Sequence, residues 1–320
     1  MNFVFDEDQL ALRDGVRALL DKECTPDDIR ASWETETGRS PQRWQALADL
    51  GVLGLVVPEQ FGGMGLDETW LVLLLEEAGR AALPEPLGPV TVAIGLIVDS
   101  APESLREEWL PRILSGEVIA VAALPGAPWV DDAHVADLLL VTDGGQLHVL
   151  DPSEVELVPA PTLDRSRRLF AVTPKLSARS CLADRAGGPI AAAVDRSNLA
   201  EAAYLIGAAR KLVDLATSYA LEREQFGAPI GSFQAVKHQL ASALVKIEFA
   251  RPAVYRAAWS IANETTGRTE HVAMARTMAG QAAHLAARTS LQVHGAIGYT
   301  DEHDLHLWLR RALAPGAAIR

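Results

Sequence analysis

A change in composition and hydrophobic pattern along the chain constrains its fold more than any other feature. Segments rich in Ala, Leu, Arg and Glu form both ends, whereas short runs of Val and Leu separated by turn residues fill the stretch from about 118 to 172. Apolar residues at helical spacing indicate amphipathic helices, and short apolar runs between turns indicate strands. We therefore predict an α+β protein, mainly α, in which helices precede and follow a small β-domain.

The N-terminal part is predicted to be helical. Asp6 or Asp8 is expected to cap a first helix, and Pro26 is expected to mark a break after it. Apolar spacing predicts further helices near 44–53, 70–82, 90–99 and 102–114.

The middle and C-terminal parts differ in their patterns. Five apolar runs predict strands at 118–124, 135–142, 147–150, 155–159 and 169–173. The tripeptide Asp143-Gly144-Gly145 is typical of a hairpin turn between the second and third of them. Strand signals vanish after about 191, where long segments rich in Ala and Leu predict a helical bundle. The expected domains are residues 1–117, 118–185 and 186–320, packed as one unit.

Charge and composition exclude several classes of protein. The chain has 29 Lys and Arg against 42 Asp and Glu, a net charge of −13, which disfavours nucleic acid as a partner. No stretch approaches the length of apolar sequence that a membrane span needs, so none is expected. The first residues lack the pattern of a secretory signal and the two cysteines lie far apart, so we expect a cytoplasmic protein.

Several common site motifs are missing from the sequence. There is no zinc-binding pattern, P-loop, nucleophilic-serine motif or Rossmann fingerprint. His303 and His306 have a spacing that could place them on one helix face, but no third ligand is near them. We therefore expect no metal.

One segment combines side chains suited to an anionic planar ligand. Arg223, Phe226 and Gln234 lie where one predicted helix ends and the next begins, with Gly227 in the turn. A guanidinium, an aromatic face and an amide are the groups that hold a nucleotide diphosphate and its adenine. The alternative is a helix corner with a structural ion pair and a buried Phe.

A second segment, 292–299, carries a weaker signal. Gly295 and Gly298 interrupt a helical region, so the backbone there could approach a ligand or present free N–H groups to it. Such glycines are equally compatible with a plain corner of the bundle.

Together with the stretch 51–66, these segments resemble signatures of the acyl-CoA dehydrogenase family. The stretch GVLGLVVPEQFGGMGL at 51–66 is similar to the signature of the helical domain, and 223–234 and 292–312 are similar to the two C-terminal signatures. The resemblance implies an N-terminal helical domain, a central β-domain and a C-terminal four-helix bundle. It also implies FAD as the cofactor and the α,β-dehydrogenation of an acyl-CoA thioester as the reaction.

The resemblance further implies which residues contact FAD. In the family, the adenosine-diphosphate half of an FAD is bound by the subunit next to the one that holds its flavin ring. The positions carried over to this chain are Arg223, Phe226, Gln234, Gln292, Gly295 and Ala296. Ala296 stands where the family usually has glycine. An electron-transfer flavoprotein is the implied electron acceptor.

The chain departs from the family pattern in two places. Its β-domain is short, and Trp129 lacks the Ser and Thr residues expected around it, which implies an incomplete flavin pocket. The two positions of the family's catalytic glutamate correspond to Ser197, 26 residues before Arg223, and to Ile319. Neither supplies a carboxylate base. Glu201, one helical turn after Ser197, is a weak substitute, and a solvated or interface glutamate is the alternative there.

With these departures the chain resembles the base-lacking partner subunit of heterotetrameric, steroid-CoA type acyl-CoA dehydrogenases. The resulting hypothesis is a non-catalytic chain that completes the FAD site of a catalytic sister chain in an α2β2 complex, in lipid metabolism and steroid degradation. The isolated chain would then be inactive. Two alternatives remain: a homo-oligomeric acyl-CoA dehydrogenase with Glu201 as a displaced base, and a non-catalytic acyl-CoA-binding or scaffold relative without FAD.

Overall fold

A computed structural model describes residues 4–314, and its first section is helical as predicted. The helices are α1 (Glu7–Glu23), α2 (Pro26–Trp33), α3 (Pro41–Asp49), α4 (Glu68–Arg80), α5 (Leu87–Ser100) and α6 (Glu103–Leu114). Asp6 caps α1, because its side chain accepts from the N–H of Gln9 while the Gln9 side chain accepts from the N–H of Asp6. Helix α3 ends before the left-handed Gly51, so Leu53 lies in a short 3-10 turn outside the helix.

Helix α2 is absent from the sequence prediction, which takes Pro26 as a break. In the structure Pro26 is the first residue of α2, a position where the missing N–H has no partner to lose. Thr25 caps the helix by accepting from the N–H of Asp28. At the other end, the indole of Trp33 donates to the hydroxyl of Ser166 at 2.6 Å, which ties α2 to the β-section.

Seven strands form two sheets within residues 118–185. They are β1 (Ala120–Ala123), β2 (Val130–Asp131), β3 (Leu138–Asp143), β4 (Gln146–Leu150), β5 (Val155–Ala160), β6 (Leu169–Pro174) and β7 (Cys181–Ala183). One sheet has the order β1-β3-β4-β7 and the other β2-β6-β5. The five predicted strands are confirmed, and so is the hairpin, because Gly144 and Gly145 turn with φ of 52° and 88° between β3 and β4.

The last section is the predicted helical bundle. It consists of α7 (Gly187–Glu222), α8 (Gln234–Ala262), α9 (Arg268–His294) and α10 (Leu305–Leu313), with the short strands β8 (Glu224–Gln225) and β9 (Ala228–Pro229) between α7 and α8. The sequence pattern does not predict these two-residue strands. Within residues 4–314 no helix combines the length and apolar character needed to cross a membrane.

The two helical sections meet where α4 crosses α7. A Cβ built on Gly79 would lie 1.9 Å from the carbonyl oxygen of Tyr204, and one built on Gly207 would lie 1.8 Å from that of Glu76. The two backbones therefore approach so closely that only glycine fits at both positions. A continuous hydrophobic core runs through both helical sections and reaches Leu140 in the first sheet, so the three sections pack as one unit.

Candidate functional site

The helix corner between α7 and α8 is a short hairpin that projects from the bundle. Phe226 and Gly227 form its tip with φ of 54° and 79°. The N–H of Ile230 donates to the carbonyl of Arg223 at 2.8 Å and closes the hairpin. A left-handed conformation at a residue other than glycine costs roughly 1–3 kcal/mol, so the surrounding hairpin holds Phe226 in place.

The side chains of this corner face outward. Phe226 is 95% exposed, and its ring centroid lies 6.1 Å from that of the partly exposed Phe233. Arg223 and Gln234 are exposed as well, and their side chains form no hydrogen bond or ion pair with any residue that the structure describes. The alternative of a structural ion pair beside a buried Phe is therefore wrong.

The second segment begins at the end of α9. Gln292, Gly295 and Ala296 are exposed, and a Cβ on Gly295, whose φ is 63°, would meet no atom within 4 Å. The buried His294 stacks on Tyr219 of α7 with ring centroids 4.5 Å apart. Burial lowers the pKa of His294. A neutral imidazole therefore holds this turn against α7.

The two segments meet in a small hydrophobic cluster. Ala216, Ala220 and Val293 are buried in it, and Ile230 packs against them. Since Val293 follows Gln292 and Ile230 belongs to the corner, the fold brings both segments to the same end of the bundle. The sequence could not predict this, because the segments lie about 60 residues apart and meet only through helix packing.

The positions that correspond to the family's catalytic glutamate lie away from the end of the bundle that carries the two exposed segments. Ser197 and Glu201 lie one turn apart on α7 and line a cleft of about 260 Å³ between α5, α7 and the β-section. Trp129, which is 45% exposed, lines the same cleft. Ile319 lies outside the described residues.

Three ion pairs border this cleft. They are Arg39–Asp132, Arg167–Asp131 and Arg311–Asp164. Burial lowers the pKa of Arg39 to about 10, which still leaves it charged at neutral pH. Burial disfavours the charged form of Arg167. The hydrogen bonds to Asp131 and the charge of Asp131 outweigh that effect and raise the pKa of Arg167. The cleft is therefore bordered by cations whose charges the neighbouring aspartates neutralise.

The amino-acid sequence alone did not predict these pairs. The short charged runs at 131–132 and 165–168 could have indicated ion pairs. However, a charged run usually forms a solvated surface rather than buried pairs. Arg39 and Asp132 are 93 residues apart, so only the tertiary structure assigns the partner.

Glu201 is also paired. Its Oε2 accepts from Nε of Arg276 at 2.8 Å, and its Oε1 lies 2.6 Å from Nη2 of the same guanidinium. A general base must reach the proton that it removes. Because both carboxylate oxygens are directed at α9, the arrangement favours a structural ion pair between α7 and α9.

No group of three or more His, Cys, Asp or Glu among residues 4–314 is arranged to hold a metal ion. His303 and His306 have different surroundings. His303 lies against His294, with ring centroids 4.5 Å apart, whereas His306 is buried beside Trp33.

An N-terminal helical section, a small pair of sheets and a C-terminal bundle with a projecting helix corner define the architecture of acyl-CoA dehydrogenases. Residues 6–117 match the acyl-CoA dehydrogenase N-terminal domain, and residues 190–317 match the C-terminal domain. The chain belongs to the acyl-CoA dehydrogenase family.

Individual relatives agree with this assignment. The chain is 36% identical to acyl-CoA dehydrogenase IpdE2 of Mycolicibacterium smegmatis, over 96% of this chain and 92% of the relative. It is 32% identical to IpdE2 of Mycobacterium tuberculosis, over 96% and 91%.

Solved structures are similar over almost the whole chain. A variant of the Tcur3481-Tcur3483 steroid ACAD has a TM-score of 0.87 at 26% identity, covering 98% of this chain and 94% of that one. The ChsE4-ChsE5 complex from Mycobacterium tuberculosis has a TM-score of 0.88 at 24% identity, covering 99% and 95%, and shows the shared fold.

Proposed function

We propose that this chain is the base-lacking subunit of a heteromeric, flavin-dependent acyl-CoA dehydrogenase. It completes the FAD site of a catalytic sister chain in an α2β2 complex. The observation that carries the proposal is the helix corner, where Phe226 is 95% exposed beside an exposed Arg223. Exposed aromatic and arginine side chains are the residue types that most often dominate binding at interfaces.

The adenosine-diphosphate half of FAD fits the two exposed segments. Arg223 pairs with the diphosphate, since guanidinium–phosphate hydrogen bonds are charge-assisted and strong. Phe226 offers an aromatic face to the adenine, and Gln234 and Gln292 offer amides. The open space around Gly295 lets the backbone approach the cofactor.

The chain's own cleft is small for a complete flavin pocket. Its volume of about 260 Å³ is below the roughly 300–1,000 Å³ of most ligand pockets. Its polar side is also taken by buried pairs such as Arg39–Asp132. Breaking a pair of this kind costs about 3–5 kcal/mol. We therefore assign the flavin ring to the sister chain.

The proton-abstracting base also belongs to the sister chain. Ser197 carries a hydroxyl group, and both oxygens of Glu201 are engaged by Arg276. A general base contributes about 10²–10⁴ to the rate, so the isolated chain should not turn over. FAD, when bound, supplies the hydride acceptor, and this chain binds and orients the far half of the cofactor.

One similar structure supports the substrate class. The Tcur3481-Tcur3483 protein, at 26% identity, is a steroid ACAD. We propose a steroid-derived acyl-CoA as substrate, an electron-transfer flavoprotein as electron acceptor, and a cytoplasmic location. A branched or otherwise bulky acyl-CoA is the competing substrate class.

Co-expression with a candidate sister chain tests the proposal. The isolated chain should purify without flavin, and the two chains together should give a yellow, active complex with FAD bound. Stoichiometric FAD and turnover in the isolated chain would overturn the proposal in favour of the homo-oligomeric enzyme.

Variants of the corner separate cofactor binding from scaffolding. Arg223→Gln should lower the FAD affinity of the complex about 10- to 100-fold, because a hydrogen bond to a charged group contributes roughly 1.5–3 kcal/mol. Phe226→Ala should lower it by a similar factor, because stacking of a base on an aromatic ring contributes about 1–3 kcal/mol. The matched control is Leu163→Ala, which changes a side chain that is 85% exposed on the loop between β5 and β6. A complex that retains its full flavin affinity in both corner variants would support the scaffold alternative and contradict the proposal.

A further inference from the structure

Three aromatic side chains form a small cluster beneath the two exposed segments. Tyr219 on α7 and His294 at the end of α9 stack with ring centroids 4.5 Å apart and an interplanar angle of 24°. His303, in the loop before α10, lies edge-on to both, with its ring centroid 4.5 Å from that of His294 and 6.0 Å from that of Tyr219. We name Tyr219, His294 and His303 together the ring cluster. None of the three is among the residues assigned to FAD.

The ring cluster is attached to both exposed segments. The carbonyl of Tyr219 accepts from the N–H of Arg223 at 2.9 Å, where the helix corner begins. His294 directly precedes Gly295 of the second segment. That segment packs closely over His294, because a Cβ built on Gly298 would lie 3.1 Å from the Cβ of His294. The stacking of Tyr219 on His294 therefore sets the position of one segment relative to the other.

A hydrogen bond defines which nitrogen of His294 carries the proton. Nδ1 lies 2.7 Å from the carbonyl oxygen of Ser290, and since a carbonyl only accepts, Nδ1 is the donor. In the neutral imidazole Nε2 therefore has no proton, and this atom is buried without a hydrogen-bond partner. Protonation would create a buried N–H group with no acceptor, which is unfavourable.

The groups around His294 do not compensate for a positive charge. The titratable side chains that face it are Tyr219 from α7 and His303 from the loop before α10. The α8 side chains that reach this end of the bundle, Val236 and Leu240, are apolar. No carboxylate within residues 4–314 pairs with His294. The acidic residues of the loop before α10 are exposed or paired with arginines: Asp301 with Arg310, Asp304 with Arg30, and Glu302 in solvent.

These surroundings explain the direction of the pKa shift of His294. Burial lowers the pKa, the hydrogen bond to Ser290 opposes that effect, and the charge of His303 adds to the lowering. The stacked arrangement therefore favours the neutral imidazole.

We propose that His294 is a positioning residue whose neutral form couples the second segment to the helix corner through Tyr219, so that acid separates the two segments. The inference rests on the proposed function only for its consequence, a cofactor affinity that falls with the pH. The coupling itself belongs to this chain and does not require a bound flavin.

The coupling weakens as the pH falls. When the two segments separate, His294 reaches water and has the ordinary histidine pKa of about 6.5. The neutral, stacked state is fully favoured above that value. It loses stability as the pH falls from about 6.5 through the lowered pKa of the stacked imidazole, because the separated state binds more protons in that window.

Hydrogen exchange in the purified full-length chain tests the proposal. Amides of 223–230 and 292–299 are followed at pH 7.5 and pH 5.5 and corrected for the intrinsic exchange rate, with amides of α4 at its crossing with α7 as the reference. Relative to that reference, the protection of both segments should fall on the order of threefold or more at the lower pH. Equal relative protection at the two pH values would overturn the proposal.

His294→Phe separates titration from packing. Phenylalanine keeps a flat ring against Tyr219 but binds no proton, so the relative protection should no longer depend on pH. His303→Gln should reduce the pH dependence without abolishing it, because His294 remains buried. The control is His284→Gln, which changes an exposed histidine on the same helix and should leave the pH dependence intact. A loss of protection in His294→Phe as large as that in the unchanged chain would show a purely structural role and contradict the proposal.

The FAD affinity of the assembled complex gives the functional readout. The dissociation constant should rise on the order of threefold or more between pH 7.5 and pH 5.5, and His294→Phe should remove that rise. Protection that depends on pH, together with a FAD affinity that His294→Phe does not affect, would support the coupling and contradict the proposed function. Protection independent of pH in a chain whose complex binds FAD through Arg223 would contradict the coupling and support the proposed function.

Discussion

The carboxylate of Glu201 and the guanidinium of Arg276 join α7 to α9, with Oε1 and Nη2 2.6 Å apart. Glu201 lines the cleft beside the β-section, Arg276 lines a groove among α8, α9 and α10 on the other side, and Leu205 lines both. The ion pair therefore lies in the wall between two cavities. It directs the carboxylate of Glu201 toward α9 and away from base chemistry in the cleft.

Glu201→Gln should leave catalysis by the assembled complex unchanged. The amide keeps the size of the side chain and removes its ability to act as a base, so kcat/KM should stay within about twofold if the sister chain supplies the base. Steady-state rates of the complex with a saturating electron acceptor measure this, with Ser197→Ala as the control on the same helix face. A loss of about 100-fold or more with FAD still bound would make Glu201 the base.

Gly207→Ala should destabilise the fold at the α4–α7 crossing. Its Cβ would lie 1.8 Å from the carbonyl oxygen of Glu76, so one helix must move, and overpacking of this kind typically costs about 1–3 kcal/mol. Urea unfolding followed by circular dichroism gives the change. Gly188→Ala is the matched control, because a Cβ near the start of α7 meets no atom within 4 Å. Equal midpoints for the two variants would contradict the close approach.

Glu85→Gln should lower the free energy of unfolding more than most conservative substitutions in this chain. Glu85 accepts from Nε and Nη2 of Arg43 at 2.6 and 2.9 Å, and both side chains are almost fully buried. Removing one charge leaves the other buried and unpaired, which costs about 3–5 kcal/mol. Glu34→Gln breaks the exposed pair with Arg165 and should cost less than about 1 kcal/mol. Unfolding free energies that do not differ between the two variants would refute this ranking.

Stability should fall as the pH drops from neutrality, and His306 should account for part of the fall. Burial and the charge of Arg310 lower the pKa of His306, whereas Asp301 opposes them. Since the unfolded histidine has a pKa of about 6.5, the unfolded state binds more protons between that value and the lowered native pKa. The free energy of unfolding therefore decreases as the pH falls through this window, and it no longer depends on His306 below the native pKa.

The His306→Gln variant measures this contribution. Its free energy of unfolding should decrease less between pH 7.5 and pH 5.5 than that of the unchanged chain. The control is His238→Gln, which changes an exposed histidine on α8. Unfolding curves of the His306 variant that lose stability in parallel with the unchanged chain would contradict the assignment.

Local patterns predicted most of the secondary structure. The Asp6 cap and the turn at Gly144 and Gly145 depend on residues within four positions of each other, and both are present in the structure. Strand β2 was missed because it has two residues and exists through its pairing with Phe170 and Leu169 on β6. Helix α2 was missed because proline interrupts a helix in its interior but is favoured at the first helical position.

The candidate site also combines features that the sequence predicts with features that depend on tertiary contacts. The sequence indicated a helix corner at Arg223 and Phe226 and the hydroxyl at Ser197, because residue identity alone carries those inferences. It left open whether Phe226 is buried, and the structure shows that it is exposed. The sequence could not assign a partner to Glu201, since Arg276 is 75 residues away.

By itself, the sequence determined the order of helical, strand and helical sections, the family, and the lack of a carboxylate at Ser197. Only the tertiary structure decided that Glu201 is engaged by Arg276, that three arginine–aspartate pairs border the cleft, and that the segments at Arg223 and Gln292 meet at one end of the bundle. Helix propensity and apolar periodicity act over a few residues, so they set the elements. Ion pairs and close approaches depend on how α7, α9 and the β-section pack, and residues far apart in the chain meet only there.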